Sequence, residues 1–120
     1  MDSLSNTPVT ADTLIAEARA MAPALQTRED AAEAARRIPD ESIADMRAAG
    51  LFRAFQPARY GGYELDLDLL LSMGTELARG CGSSAWVGNL AMVHQWMIGG
   101  FSDQAQDDMW GDTPTENRMR

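Results

Sequence analysis

Apolar residues return every three or four positions along most of this chain, which is the period of an α-helix. The pattern is clear near the start, where one face would carry six apolar residues: Leu14, Ile15, Ala18, Met21, Ala22 and Leu25. Only residues 63–69 alternate with a period of two, and that stretch contains no β-branched residue. We therefore predict an all-α chain of five or six helices with no sheet.

Capping residues and helix breakers predict where these helices begin and end. The predicted starts are Thr10, Thr27 (a capping box with Asp30), Pro39-Asp40, Asp66 or Asp68, Ser83 and Ser102. The predicted stops are Gly50, Gly80 and Gly111, and Pro23 is predicted to kink or restart the first helix. Residues 51–65 are expected to form an ordered connector, and the longest helix is expected at about residues 84–100.

A length of 120 residues predicts one domain. Residues 1–9 are polar and acidic and are predicted to be a disordered leader. The helical domain is expected at residues 10–114, and the polar residues 115–120 are expected to form a frayed tail.

Composition argues against several classes of partner and location. The chain carries 18 acidic side chains against 10 basic ones, which gives a formal net charge of −8 and opposes binding to nucleic acid. No run approaches the roughly 20 apolar residues that span a bilayer, so no membrane partner is expected. The start does not resemble a signal peptide, and the single cysteine excludes an internal disulfide. We therefore expect a cytoplasmic protein.

Common catalytic motifs are absent from the sequence. One histidine and one cysteine cannot fill a zinc site, and neither GxGxxG nor a phosphate-binding loop occurs. The acidic set Glu64, Asp66 and Asp68 is better explained by capping at a helix start than by acid–base chemistry. Cys81, between two glycines, is expected to be a small packing residue.

The stretch CGSSAWVGNLAMVHQW, residues 81–96, holds the only cysteine, the only histidine and two of the three tryptophans. His94 follows Trp86 by eight residues, so the two side chains share a helix face with Leu90 between them and Met97 one turn further. From the residues alone, a single histidine or tryptophan on an apolar helix face is more often a core residue than a ligand-binding one. Two interpretations of residues 81–96 therefore remain open: one wall of a binding site, or a buried helix.

The order of several segments is more specific than any one of them. RRIPDESIADMRAAGLFRAFQPARYGG is followed by an apolar helix, then by ARGCGSSAWVGNLAMVHQWMIGGF and QAQDDMWGDTP. This order, over about residues 30–114, resembles the N-terminal helical domain of the acyl-CoA dehydrogenase fold. Within that superfamily it is most similar to the oxygenase components of two-component flavin-dependent aromatic monooxygenases, of the p-hydroxyphenylacetate hydroxylase type.

The resemblance implies a function and two site residues. A separate reductase would supply reduced FMN or FAD, and the oxygenase would use dioxygen to hydroxylate a small aromatic, phenolic substrate. By the same resemblance, Trp86 would lie beside the flavin as a cofactor-binding residue. His94 would bind the substrate near its phenolic hydroxyl. The complete protein would be a homo-oligomer, namely a tetramer.

Members of that superfamily continue through a middle β-domain and a C-terminal helical bundle, so most walls of such a site would lie outside residues 1–120. We therefore expect the chain alone to be inactive and to leave an apolar patch around Trp86, Leu90, His94 and Met97 partly uncovered. Two alternatives remain: a fragment of an acyl-CoA dehydrogenase-like flavoprotein, and a free-standing helical interaction module without catalytic activity.

Overall fold

Helices make up all the regular structure between residues 8 and 111, which are the residues that the computed structural model describes. The six α-helices are α1 (Ala11–Thr27), α2 (Glu29–Ala35), α3 (Asp40–Ala48), α4 (Leu69–Gly80), α5 (Gly82–Gly99) and α6 (Asp103–Trp110). Two 3₁₀ turns, Leu51–Arg53 and Ala58–Tyr60, lie between α3 and α4. No strand occurs within residues 8–111, so the predicted all-α chain of five or six helices is confirmed.

The predicted leader and tail fall largely outside the described residues. Of the leader at residues 1–9, only Pro8 and Val9 are described, and Val9 packs partly buried against the core. The tail at residues 115–120 lies wholly outside them.

Several predicted helix ends are confirmed by their hydrogen bonds. The Thr10 hydroxyl accepts a bond from the Thr13 N–H at 3.3 Å and caps α1. The Ser102 hydroxyl does the same for α6, with the Ala105 N–H at 3.2 Å. Gly50 follows α3 with φ of +84°, the left-handed conformation that glycine adopts most readily at a helix end.

Two predicted caps near proline and glycine are wrong. The hydroxyl of Thr27 donates to the Pro23 carbonyl at 3.0 Å, because α1 continues through Pro23 without a restart and Thr27 still belongs to it. Helix α2 therefore begins after Arg28 and has no side-chain cap. Ser83 lies inside the first turn of α5, because the chain turns two residues earlier, at the extended and buried Cys81.

The predicted cap of α4 is right in position and wrong in chemistry. Asp68 is the residue before α4, but its backbone is already helical and its side chain makes no capping bond. Backbone bonds close this turn instead, including the Leu69 N–H to the Asp66 carbonyl at 3.1 Å. A helical backbone at the cap does not aim the carboxylate at the first free N–H groups of the helix.

The core lies where α1 packs along α4 and α4 packs along α5. Its fully buried centre includes side chains from five separate elements: Leu14, Leu25, Met46, Leu51, Met73, Leu77 and Met92. At Gly80 the backbones of α1 and α4 come so close that an added Cβ would lie 2.9 Å from the Cα of Ala22. A side chain larger than hydrogen at Gly80 would therefore push α1 and α4 apart.

The connector at residues 51–65 is ordered, as predicted. The Tyr63 N–H donates to the Arg53 carbonyl and the Leu65 N–H to the Ala54 carbonyl, both at 2.8 Å. The Glu64 carboxylate accepts a hydrogen bond from the Ala58 N–H at 2.9 Å, so it stabilises the second 3₁₀ turn and does not cap α4 as expected. The connector therefore forms a fixed support under the C-terminal end of α5.

Candidate functional site

Helix α5 has one buried side and one exposed side, although apolar residues occur on both. The buried side carries small or flexible side chains and one amide: Ser84, Ala85, Gly88, Met92 and Gln95. The exposed side carries Trp86, Leu90, His94 and Met97, which we call the outer face of α5. The prediction that this patch would be uncovered is confirmed: Trp86 is 69% exposed, Leu90 41% and Met97 46%.

The outer face brings together the two site residues predicted from the sequence. A rise of 1.5 Å per residue separates Trp86 and His94 by about 12 Å along the helix axis, and about 80° separates them around it. Leu90 lies between them. The His94 ring is exposed, and no residue from 8 to 111 hydrogen-bonds to it. His94 is therefore an exposed residue and not a hydrogen-bonded core histidine.

The indole of Trp86 borders a cleft of about 510 Å³ between the end of α2 and the start of α5. Its lining includes Glu33, Arg36, Arg37, Ile38 and Ser83. Arg36 ends α2 in the left-handed conformation, with φ of +56°, which carries the chain toward α3. The Arg37 guanidinium donates to the Asp40 carboxylate at 2.8 Å.

The residues at this cleft fit one side of a flavin site. The exposed indole offers a flat apolar surface against which an isoalloxazine ring can stack. Arg36 supplies positive charge that suits the phosphate of a flavin nucleotide, whereas Arg37 is paired with Asp40 and Glu33 adds a negative charge to the lining. The cleft is open toward solvent, so residues 8–111 provide one wall and no enclosure.

A second groove lies at the other end of α5. It encloses about 920 Å³ and is lined by Trp96, Met97 and Phe101 from the helix end and by Phe55 and Pro57 from the connector. Charged side chains border it, including Arg59, Asp66 and Asp103. No feature of the sequence had indicated this groove, because its two sides lie about forty residues apart.

Cys81 and the polar side chains on and near α6 have structural roles. Cys81 is buried at the junction of α4 and α5, as expected for a packing residue. Asp103 is exposed and paired with Arg59 at 3.0 Å, and the Tyr60 hydroxyl donates to Asp107 at 3.4 Å. Among the described residues, no three metal-binding side chains come together. None of the helices described here combines the length and the apolar character needed to cross a bilayer.

The sequence analysis missed the contacts that hold α5 in place. The buried indole of Trp110 donates to the Oε1 of Gln95 at 3.2 Å. Gln106 donates to the carbonyls of Gly99 and Phe101, each at 3.0 Å. The available signal was a glutamine at position 95, on the inward side of an otherwise apolar helix, because a buried amide needs a partner.

Comparison with known proteins identifies the family of this chain. The family described as acyl-CoA dehydrogenase, N-terminal domain, matches residues 10–112. The oxygenase subunit HsaA of a flavin-dependent monooxygenase from Rhodococcus jostii is 42% identical over 92 residues, which are 77% of this chain and 24% of that protein. The oxygenase component of p-hydroxyphenylacetate 3-hydroxylase from Acinetobacter baumannii is 40% identical over 88 residues, which are 73% of this chain and 21% of that protein.

A solved structure shows the same fold. The crystal structure of 3-HSA hydroxylase from Rhodococcus sp. RHA1 superposes with a TM-score of 0.80 at 38% identity, covering 87% of this chain and 27% of that one. The chain thus spans about a quarter of the length of the relatives it matches. By sequence and by fold, the chain belongs to the acyl-CoA dehydrogenase N-terminal domain family, and its similar proteins include oxygenase components of flavin-dependent aromatic hydroxylases.

Proposed function

We propose that this chain is the N-terminal part of the oxygenase component of a two-component flavin-dependent monooxygenase that hydroxylates a phenol. The observation that carries the proposal is the outer face of α5, where an unpaired histidine and an exposed indole lie on one apolar surface. An exposed apolar patch of this kind marks an interface or a ligand site. A core helix or a solvated surface helix would not place both groups there.

Trp86 and His94 have separate tasks in this proposal. The indole of Trp86 stacks against the flavin, FMN or FAD, which a separate reductase delivers in its reduced form and which supplies the electrons for activating dioxygen. The imidazole of His94 accepts a hydrogen bond from the phenolic hydroxyl. This contact orients the ring and favours the more electron-rich phenolate. Leu90 and Met97 exclude water from the space between.

The walls that residues 1–120 do not supply would come from the further domains that the relatives' length implies and from a neighbouring subunit in a homotetramer. A single helical wall cannot exclude water from a reacting centre. We therefore propose that the chain by itself forms no hydroxylated product. The complete oxygenase requires the reductase, the flavin and dioxygen together.

The experiment joins residues 1–120 to the domains present in its relatives and supplies a flavin reductase, NADH and oxygen. p-Hydroxyphenylacetate, resorcinol and 2-naphthol are the phenols tested, and hydroxylated product is measured by chromatography. We expect His94→Ala to lower the rate of hydroxylation about a hundredfold, since one positioned acid–base group contributes on that order. Leu71→Ala, which alters an exposed side chain on α4, is the control and should keep the wild-type rate.

The cofactor contact is tested separately, by titrating reduced flavin without oxygen. Trp86→Leu should weaken flavin binding about tenfold, which corresponds to the roughly 1.4 kcal/mol of an aromatic stacking contact. Trp96→Leu is the matched control, because Trp96 is also exposed on α5 but lies about 160° around the axis from His94. A wild-type enzyme that hydroxylates none of the three phenols, or a His94→Ala enzyme with the wild-type product yield, would contradict the proposed function.

A further inference from the structure

The buried side of α5 packs closely against its neighbours through contacts that have little directionality: a Cβ added at Gly88 would lie 2.9 Å from the Sδ of Met46. Ser84, Ala85 and Gly88 are small, and Met92 is a flexible side chain that fills gaps of many shapes. Such contacts hold the helix against the core, whereas a hydrogen bond also fixes the direction of a particular side chain. A directional contact therefore favours one orientation of the outer face.

Gln95 makes that directional contact. Its Oε1 accepts from the indole N–H of Trp110 at 3.2 Å, and both side chains are buried. It is the one side chain of α5 that hydrogen-bonds to another helix within residues 8–111. Trp110 is completely buried and packs against the ring of Tyr60, with the two ring centres 5.3 Å apart, so the donor itself is fixed.

A second group of bonds holds the end of the same helix. Gln106 donates to the carbonyls of Gly99 and Phe101 and accepts from the Arg59 guanidinium at 2.7 Å. These bonds anchor the last turn of α5 to α6 and to the connector. They act at the end of the helix, whereas the Gln95–Trp110 bond acts about one turn earlier, next to His94.

We propose that Gln95 is a positioning residue for His94, which it acts on through the bond to Trp110. The inference rests on the proposed function, because it concerns the phenol contact of His94. His94 precedes Gln95 directly, so the two side chains turn together as one rigid unit. A rotation of about 20° would move a side-chain tip that lies about 5–6 Å from the axis by about 2 Å. A misplacement of about 1 Å can cost on the order of a hundredfold in rate.

The substitution that tests this is Gln95→Met, which keeps the length of the side chain and removes the acceptor. In the complete oxygenase we expect the dissociation constant for the best of the three phenols, measured in the absence of reductase, to rise about tenfold. The value of kcat/KM should fall by ten- to a hundredfold. Gln104→Met makes the same chemical change on the exposed side of α6, where Gln104 bonds only to Asp108, and should change neither quantity.

A double-mutant cycle with His94→Ala separates positioning from a general loss of structure. If Gln95 acts through His94, Gln95→Met should alter the dissociation constant by less than about twofold once His94 is alanine. If Gln95→Met changes the dissociation constant by the same factor with histidine and with alanine at position 94, the inference is overturned. It is also overturned if a folded Gln95→Met enzyme binds phenol like wild type while His94→Ala binds it weakly. An unchanged His94→Ala enzyme would overturn the proposed function itself. If Gln95→Met does not fold, Trp110→Phe removes the donor of the same bond and takes its place in the cycle.

Discussion

Two glycines two positions apart should respond to alanine with opposite signs. At Gly80 an added Cβ would lie 2.9 Å from the carbonyl carbon and the Cα of Ala22, and closer still to the carbonyl oxygen. Those atoms belong to the backbone of α1, so the whole helix has to move to accommodate the methyl group. At Gly82 the same Cβ would meet nothing within 4 Å.

The magnitudes follow from these surroundings. Overpacking a tight contact costs roughly 1–3 kcal/mol, and the helix-forming advantage of alanine over glycine returns about 0.5–1 kcal/mol. Gly80→Ala should therefore lower the free energy of unfolding by about 1–2 kcal/mol. Gly82→Ala should raise it by about 0.4–1 kcal/mol, because its only effect is to restrict the unfolded chain and favour the helix.

The assay is urea unfolding of the 120-residue chain, followed by circular dichroism of the helices and by tryptophan fluorescence. Each kcal/mol also shifts the melting temperature by roughly 4–8 °C in a domain of this size. A Gly80→Ala chain as stable as wild type would refute the reasoning, because it would mean that α1 and α4 do not approach as closely as described. Since Gly80 adjoins the turn into α5, the same variant in the complete oxygenase should also weaken phenol binding.

Three further predictions concern caps, burial and the thiol. Ser102→Ala should lower the free energy of unfolding by about 1 kcal/mol, because it removes the cap of α6. Ser83→Ala, which removes no cap, should change this free energy by less than about 0.5 kcal/mol. Equal losses of the two variants in urea titrations would contradict the cap assignment. Leu90→Gln should change the free energy of unfolding by less than about 0.5 kcal/mol, because Leu90 is partly exposed. Met92→Gln should lower it by more than about 2 kcal/mol, because Met92 is fully buried. Unfolding of both variants at the same urea concentration would contradict this difference in burial. The Cys81 thiol should react with Ellman's reagent far more slowly in the native chain than in urea, and comparable rates would show that it is not buried.

Local sequence determined most of the helices and the shared face of Trp86 and His94. Helical spacing alone puts residues eight positions apart on one side, whatever the rest of the chain does. Thr10 and Ser102 were predictable caps for the same reason, because each acts on an N–H three residues ahead. Such predictions are confirmed because they depend only on residues within two or three helical turns, where no distant contact changes the outcome.

The helical period of α5 did not show which of its sides is exposed; the exposed patch was expected only from the family resemblance, and tertiary packing decided it. Apolar residues occur on all sides of α5, so their spacing does not identify a buried side. Packing against α4 buries Met92 and leaves Trp86 exposed. The failed caps have a similar cause: the continuation of α1 kept Thr27 inside that helix, and the burial of Cys81 moved the start of α5. The bond between Gln95 and Trp110 joins residues on different helices, and only the path of the chain between α5 and α6 brings them together.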